Sequence, residues 1–406
     1  MKTYEETTEW LFEQFPSYQN QGAGAYKPDL HTISKLLKAL GNPHSGLQCI
    51  HVAGTNGKGS TSHMIASILM ELGYKVGVFS SPHLKDFRER IRINGSMIPQ
   101  TAVVNWVNHK LPTLNLDYSP SFFELSFAIA VDYFNEQNCD FCILEAGMGG
   151  RLDATNIISP LVSVITNIGL DHKQFLGNTR KEIAREKAGI IKPGVPVVIY
   201  EKDEETQEVF ESVAKEKNST IYWVQQGVSY KTDLPGIFQQ ANAATAVATI
   251  LELEKVNSIT SAQKAIQQGL QKVKINTSFQ GRMEKLSDAP QTFLDGAHNI
   301  EGIKALLENF QDLKDTSLHI IYGASNDKEL ENIFTLFPEN SYLYFTSFAN
   351  PRSFLVEELQ ERSEHLLQKR TFFSNPLEAL KSAQTTAKEK DTILIFGSLF
   401  LVSDFF

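Results

Sequence analysis

The chain has 406 residues, a formal net charge of −9 at pH 7, 42% hydrophobic and 21% charged residues; that length exceeds one comfortable core, so two domains are the default. The composition is that of an ordinary globular protein, and the acidic balance argues against a broad nucleic-acid or membrane-surface footprint. No run approaches the ~18 apolar residues of a membrane span, and Glu5, Glu6, Glu9 and Glu13 near the N-terminus exclude a secretory signal, so a cytoplasmic protein is expected.

An amphipathic helix near Thr7 to Phe15 and another near His31 to Leu40, closed by Gly41, precede the most informative stretch, His51-Val-Ala-Gly-Thr-Asn-Gly-Lys-Gly-Ser-Thr61. Cys49 to Ala53 reads as a buried strand feeding a glycine-rich turn. A helix is predicted to start near Ser60, with Met64, Ile65, Ile68, Leu69 and Leu72 at helical spacing before Gly73. Unpaired N–H groups in such a turn and at a helix N-terminus point at a common space that favours negative charge, so the natural occupant is a phosphate. Gly54, Thr55, Asn56, Gly57, Lys58, Gly59, Ser60 and Thr61 are the candidate phosphate-binding residues. Lys58 would set a mobile cation beside the outer phosphates, and Ser60 or Thr61 could reach a phosphate-bound Mg²⁺. The common phosphate loop would need glycine at 52 and a hydroxyl at 59, where Val52 and Gly59 stand.

Tyr74 to Ser80 reads as a second buried strand, followed by the polar loop Ser81-Pro-His-Leu-Lys-Asp-Phe-Arg-Glu-Arg90. Such a loop after a parallel strand is where α/β proteins place ligands, although a solvated run of charges reads similarly. Ser121-Phe-Phe-Glu124 opens a helix through Phe134 whose paired aromatics read as core. Cys139 and Cys142 form a C-x-x-C with no second metal half-site, so they read as small hydrophobes. Phe141 to Glu145 is an apolar strand ending on a carboxylate placed to hold Mg²⁺ directly or through water. Ala-Gly-Met-Gly-Gly-Arg-Leu-Asp-Ala-Thr-Asn156 follows.

Leu161 to Thr166 is the next strand, with Asn167-Ile-Gly-Leu-Asp-His172 at its end, so the strand ends carrying Lys58, Glu145 and His172 are expected to share one crevice. Thr179-x-x-Glu182 is a capping box opening a helix that ends at Gly189, and Lys187 in its last turn reads on physics alone as a dipole-stabilised cation. Val195 to Tyr200 forms a strand, Gln239 onward a small-residue helix, and the apolar pattern lapses around Asn276 to Gln280. A second α/β set follows, with strands at Thr292–Asp295, Leu318–Tyr322, Tyr342–Thr346 and Thr392–Phe396. The expected fold is α/β: an N-terminal P-loop ATPase-type, mostly parallel sheet with helices on both faces over 1–280, and a smaller C-terminal Rossmann-like domain over 281–406.

The ordered motifs resemble the folylpolyglutamate synthase/dihydrofolate synthase family of the Mur ligase superfamily. They are His51-Val-Ala-Gly-Thr-Asn-Gly-Lys-Gly-Ser60, Ser81-Pro-His-Leu84, Arg88-Glu-Arg-Ile91 with Ile93-Asn-Gly95, Leu144 to Asn156, Gly169-Leu-Asp-His172, Glu186 to Gly194 and Leu294-Asp-Gly-Ala-His-Asn299. The resemblance implies an ATP-dependent amide ligase in which ATP phosphorylates a carboxylate of a folate or dihydropteroate and the amine of L-glutamate attacks the acyl phosphate. Lys58, Glu145, His172 and Lys187 match the catalytic positions. Ser60, Ser81, Glu145, His172 and Lys187 match the Mg²⁺ shell of two metal sites, Lys187 as a carbamylated lysine, which reverses its reading as a helix-end cation. Asn242, Arg282, Asp295 and His298 match nucleotide-binding positions, placing ATP between the domains. Phe123 resembles an aromatic at the pterin site, with Ser81, His83 and Arg151 as further substrate-binding candidates.

The resemblance also implies small-molecule partners only, with no nucleic acid and no membrane, and a monomer. A cell-wall ligase is disfavoured because Gly-Lys-Gly-Ser replaces that group's Gly-Lys-Thr. An inactive nucleotide-binding module is disfavoured because Lys58, Glu145, His172 and Lys187 are all present.

Overall fold

Five consecutive buried residues, Cys49–Ala53, form β1, the strand from which the candidate phosphate loop departs. The computed structural model describes residues 3–16, 29–114, 116–200, 203–256, 258–260, 262–311 and 316–406. Beside β1 lie β2 (Val76–Phe79), β3 (Ile91–Ile93), β4 (Ser96–Met97), β5 (Phe141–Glu145), β6 (Val162–Ile165), β7 (Val197–Ile199) and β8 (Ile221–Trp223). They make an eight-stranded sheet in the order β4-β3-β2-β5-β1-β6-β7-β8. Pairing is parallel except for β2 with β3 and β3 with β4. The strands β1, β2, β5 and β6 are buried along their whole length, so they read as unbroken apolar runs, as expected where helices cover both faces.

Because β1 pairs in parallel with both β5 and β6, with Val52 opposite Glu145 and Ala53 opposite Ile165, their C-terminal ends open on one edge of the sheet. The chain runs from the centre outward on either side of β1, which creates the crevice in which open α/β sheets bind ligands. One core cluster joins Cys49, Phe79, Cys142 and Leu144 to Phe122, Phe127 and Phe134 of the helix Phe122–Glu136. Another joins Ala53, Ile165 and Val197 to Ile183 and Ala188 of the helix Arg180–Ala188. Cys139 packs against the first cluster, and all three cysteines are free thiols.

A second sheet contains β9 (Glu284–Asp288), β10 (Gln291–Leu294), β11 (Leu318–Tyr322), β12 (Ser341–Thr346), β13 (Lys369–Phe373) and β14 (Thr392–Phe396). Its order is β13-β12-β11-β14-β10-β9, parallel except for the β9–β10 pair. Tyr322, Phe334, Phe337, Phe345 and Phe396 form its aromatic core, with Tyr322 and Phe396 ring centroids 5.5 Å apart. By their contacts the residues form two compact units, Met1–Asp233 with Gln239–Phe279, and Leu234–Phe238 with Gln280–Phe406.

Several boundaries differ from the sequence expectation for identifiable reasons. The first helix begins at Tyr4, because Thr3 and Glu6 form a reciprocal capping box. The loop helix begins at Lys58 rather than Ser60, since Gly57 turns the chain at φ 82° immediately before it. The β3–β4 hairpin and the strands β8, β9 and β13 were not anticipated. Among the described residues no helix is long and apolar enough to cross a membrane.

Candidate active site

The glycine-rich turn after β1 is held by the residues that follow β6. Thr55 N–H donates to Asn167 O at 3.0 Å, Asn56 N–H to Asn167 Oδ1 at 2.7 Å, and Thr166 Oγ1 donates to Asn56 O at 2.6 Å. Thr55 Oγ1 accepts from Gly169 N–H at 2.9 Å. Gly54, at φ 153°, is required by this approach, because a Cβ there would collide with Thr166 Oγ1. Gly57 is required for a second reason: its Cβ would overlap Asn242 Oδ1 from the helix Gln239–Lys255. Thus Asn242, 185 positions away by number, lies against the loop, oriented by its own donation to Gln239 Oε1 at 2.8 Å.

Two lysines meet this turn. Lys58 Nζ donates to Gly54 O at 3.0 Å and to Thr55 O at 3.1 Å, while Lys187 Nζ, buried on the helix Arg180–Ala188, donates to the same Gly54 O at 2.8 Å. Lys187 is therefore not the solvated helix-end cation that dipole reasoning suggests. It is 3% exposed, and burial, then the nearby Lys58 charge, lower its pKa to about 7 against the opposing pull of Asp171 and Asp153.

Glu145, the last residue of β5, is buried, and its Oε2 accepts from Ser81 N–H at 3.3 Å. The same oxygen would lie 3.8 Å from a Cβ built on Gly59, so the carboxylate stands between the phosphate loop and the start of the Ser81 loop. Ser60 and Thr61 are buried in the first turn of the loop helix. In the Ser81 loop, His83 Nδ1 accepts from Arg90 Nε at 2.7 Å; burial and the Arg90 charge hold His83 well below the usual histidine range, so it is a neutral Nε2–H tautomer.

The glycine-rich segment after Glu145 is clamped by the helix Arg180–Ala188 on one side and Phe123 on another, and is braced internally by Asp153. Gly150 passes so close to the Lys187 helix that a Cβ would come within 3.0 Å of Glu186 O. Arg151 N–H donates to Glu186 O at 2.7 Å and its guanidinium pairs with Glu186 Oε1 at 2.9 Å. Phe123 lies against Gly147, where a Cβ would sit 2.7 Å from its ring, whereas its neighbour Phe122 is core. Asp153 accepts from Met148 N–H at 2.9 Å and from Thr155 Oγ1 at 2.5 Å. Since the Thr155 proton goes to Asp153, the 2.8 Å contact between Thr155 Oγ1 and His51 Nε2 has the imidazole as donor.

His172 heads the short helix Lys173–Leu176 at φ 52°, and its N–H donates to Asp171 Oδ1 at 2.9 Å. Thr166, Asn167, Gly169, Asp153 and Thr155 lie inside stretches that the sequence marks, yet it gives them no role of their own, since nothing local marks a loop residue whose partner lies far along the chain.

In the second unit Asp295, at the end of β10, accepts from Met283 N–H and Ala297 N–H, each at 2.8 Å. Burial raises its pKa, against the charge of Arg282 and those two N–H groups. Arg282 Nη1 donates to Gly281 O at 3.0 Å and borders Gly296. His298 Nδ1 contacts Gly296 O at 2.8 Å, and Asn299 caps the helix Ile300–Leu307 through Gly302 N–H at 2.9 Å.

No group of three His, Cys, Asp or Glu side chains among the described residues can hold a metal on its own. Buried Glu145, beside Gly59 and the Ser81 N–H, is instead a single hard oxygen donor. It suits a cation such as Mg²⁺ that keeps waters and takes ligand phosphate oxygens.

Residues 52–232 match the Mur ligase middle domain and residues 281–399 the Mur ligase glutamate ligase domain, so the architecture is that of a Mur-type ligase. The chain is 35% identical to the dihydrofolate synthase/folylpolyglutamate synthase of Bacillus subtilis, covering 93% of this chain and 94% of that one. Escherichia coli FolC in complex with DHPP and ADP superposes with a TM-score of 0.84 at 29% identity, over 99% of this chain and 97% of that one. The Yersinia pestis bifunctional enzyme complexed with AMPPNP and Mn ion gives 0.84 at 28%, over 99% and 98%. The chain belongs to the dihydrofolate synthase/folylpolyglutamate synthase family and is an ATP-dependent ligase.

Proposed function

We propose that the protein adds L-glutamate to a folate or to dihydropteroate, with ATP consumed to ADP and phosphate through an acyl phosphate. The observation that carries this reading is the convergence of Lys58 and Lys187 on Gly54 O, with Glu145 between Gly59 and Ser81. A carboxylate is a poor acyl donor until one oxygen becomes a leaving group, and transfer of phosphate to it needs concentrated positive charge.

The N–H groups of Gly57, Lys58, Gly59 and Ser60 at the helix start and the Lys58 ammonium hold the phosphates, in a loop that Gly54, Thr55, Asn56 and Thr61 shape through their own backbone hydrogen bonds. Asn242, Arg282, Asp295 and His298 bind the nucleotide. Ser60, Ser81, Glu145, His172 and Lys187 would hold two Mg²⁺ ions, and such ions would supply charge neutralisation at the phosphates and Lewis acidity at the acceptor carboxylate. Lys187 serves as a carbamate: its amine, neutral in part near pH 7, adds carbon dioxide and releases a proton to solvent, leaving a carboxylate-like end. Phe123 receives the pterin, with Ser81, His83 and Arg151 along the acceptor. The protein works on small molecules, as a cytoplasmic monomer without nucleic-acid or membrane partners.

Purified protein given ATP, Mg²⁺, glutamate and either dihydropteroate or a reduced folate should release phosphate only when all are present. Turnover with neither acceptor would overturn the reading, and the ratio of the two rates assigns the dihydrofolate and polyglutamate steps.

A further inference from the structure

The loop from Ser81 to Arg90 is fastened at points that the ligase reading does not use. Internally, Glu89 accepts from the N–H groups of Leu84, Lys85 and Asp86 at 2.8, 3.0 and 2.8 Å. Externally, the N-terminal helix Tyr4–Gln14 reaches over it. Tyr4 OH donates to Asp86 Oδ1 at 2.5 Å, and Arg88 closes the other side of the same carboxylate through Nε at 3.0 Å and Nη2 at 2.6 Å. The Arg88 guanidinium also lies over the Tyr4 ring, 5.2 Å from its centroid.

Two turns further along the helix, Phe12 stacks on Phe122 at 4.2 Å between ring centroids and meets the His83 ring edge-on at 5.7 Å. The helix itself is anchored in the core by Leu11. It therefore contacts the loop at both Asp86 and His83, while the loop's first residue hands its N–H to Glu145.

A tyrosine at a helix start is ordinarily a surface residue, and a Tyr–Asp pair there is ordinarily neutral to stability. Here the pair is only part-exposed, sandwiched by a guanidinium, and spans 82 residues of chain. Its effect is to restrict further a loop that Phe87, buried in the core with its ring 5.8 Å from that of Phe122, already holds at one point.

We propose that Tyr4 is a positioning residue: through Asp86, and seconded by Phe12 on His83, the N-terminal helix latches the Ser81–Arg90 loop in the conformation that receives the carboxylate acceptor. This rests on the acceptor reading of that loop given above. A loop held in its competent form binds with its intrinsic affinity; a released loop binds more weakly in proportion to the competent fraction. Turnover of the bound acceptor is unaffected, because Tyr4 touches none of the groups proposed to act on the reacting atoms.

The test uses the full chain with Tyr4→Phe, Asp86→Ala and the double variant. Tyr4→Phe should raise KM for the acceptor about 3- to 10-fold, as expected for loss of one charge-assisted hydrogen bond. The kcat should stay within about 2-fold and KM for ATP should not move. The double variant should be no worse than Asp86→Ala, since Asp86→Ala already removes the acceptor of the Tyr4 hydroxyl. Amide hydrogen exchange across residues 82–90 should speed up in Tyr4→Phe, with the phosphate loop unaffected.

An unchanged acceptor KM, additive losses, or a parallel rise in the acceptor and ATP KM values together with a fall in Tm would overturn the latch; the last is what a merely structural tyrosine gives. If wild-type protein turns over neither acceptor, the ligase reading fails by itself. The exchange experiment then still decides whether Tyr4 holds the loop.

Discussion

Lys58 and Lys187 donate to one and the same acceptor, Gly54 O, at 3.0 and 2.8 Å. Two cations sharing a carbonyl repel, and part of that repulsion is relieved when Lys187 gives up its proton, which its burial already favours. The contact thus ties the chemical state of a lysine on the helix Arg180–Ala188 to the phosphate loop.

Lys187→Ala should lower turnover about 100-fold, the scale of a lost metal-supporting group, while the dissociation constant for ATP moves less than about 3-fold. Product formation and calorimetric ATP binding check this. Equal losses in both, or none in turnover, would reject a role on the metal.

Gly54→Ala should weaken ATP binding more than 10-fold, because the new methyl strikes Thr166 Oγ1 and the backbone sits at φ 153°. Gly73→Ala, with φ 88° but open space around it, should cost only about 1 kcal/mol of stability and leave ATP binding alone. Nucleotide titrations of the two variants side by side make the comparison, and similar ATP affinities would show that the close approach to Thr166 is unimportant.

Asn167→Ala removes the Oδ1 that accepts from Asn56 N–H at 2.7 Å. Loosening this fastening should cost roughly 1–3 kcal/mol, read as a lower urea midpoint together with weaker ATP binding. A stability loss with native ATP affinity would show that the fastening does not shape the nucleotide loop.

His51 carries a pH dependence. Burial, then the Lys192 charge, depress its pKa to about 3 from 6.5. Between those values the unfolded chain holds the proton and the folded one does not, so stability falls as pH drops below about 6.5. At about 1.4 kcal/mol per pH unit the loss from this group reaches roughly 2 kcal/mol by pH 5. His51→Gln, which keeps a donor towards Thr155, should be less stable than wild type at pH 7 and close most of that gap at pH 5. A stability difference that is constant with pH in urea melts would refute it.

The bounds of β1, β5, β11 and β14 coincide with the apolar runs read from sequence, since strands covered on both faces carry their signature in composition. The strands β3, β4, β8, β9 and β13 escaped because short or polar edge strands acquire their conformation from a neighbour. Asn167 escaped for a related reason: its partner Asn56 is 111 residues away, and a loop asparagine has no local mark of what it will bind.

By itself the sequence determined the phosphate loop, the central strands that converge on it and the family, because glycine turns, apolar runs and ordered motifs are properties of contiguous residues. Tertiary structure alone decided that Lys187 is buried against Gly54, 133 residues distant, and that Tyr4 reaches Asp86. Helix position predicts a solvated cation at Lys187; only packing against the phosphate loop buries the ammonium, and that burial lowers its hold on the proton.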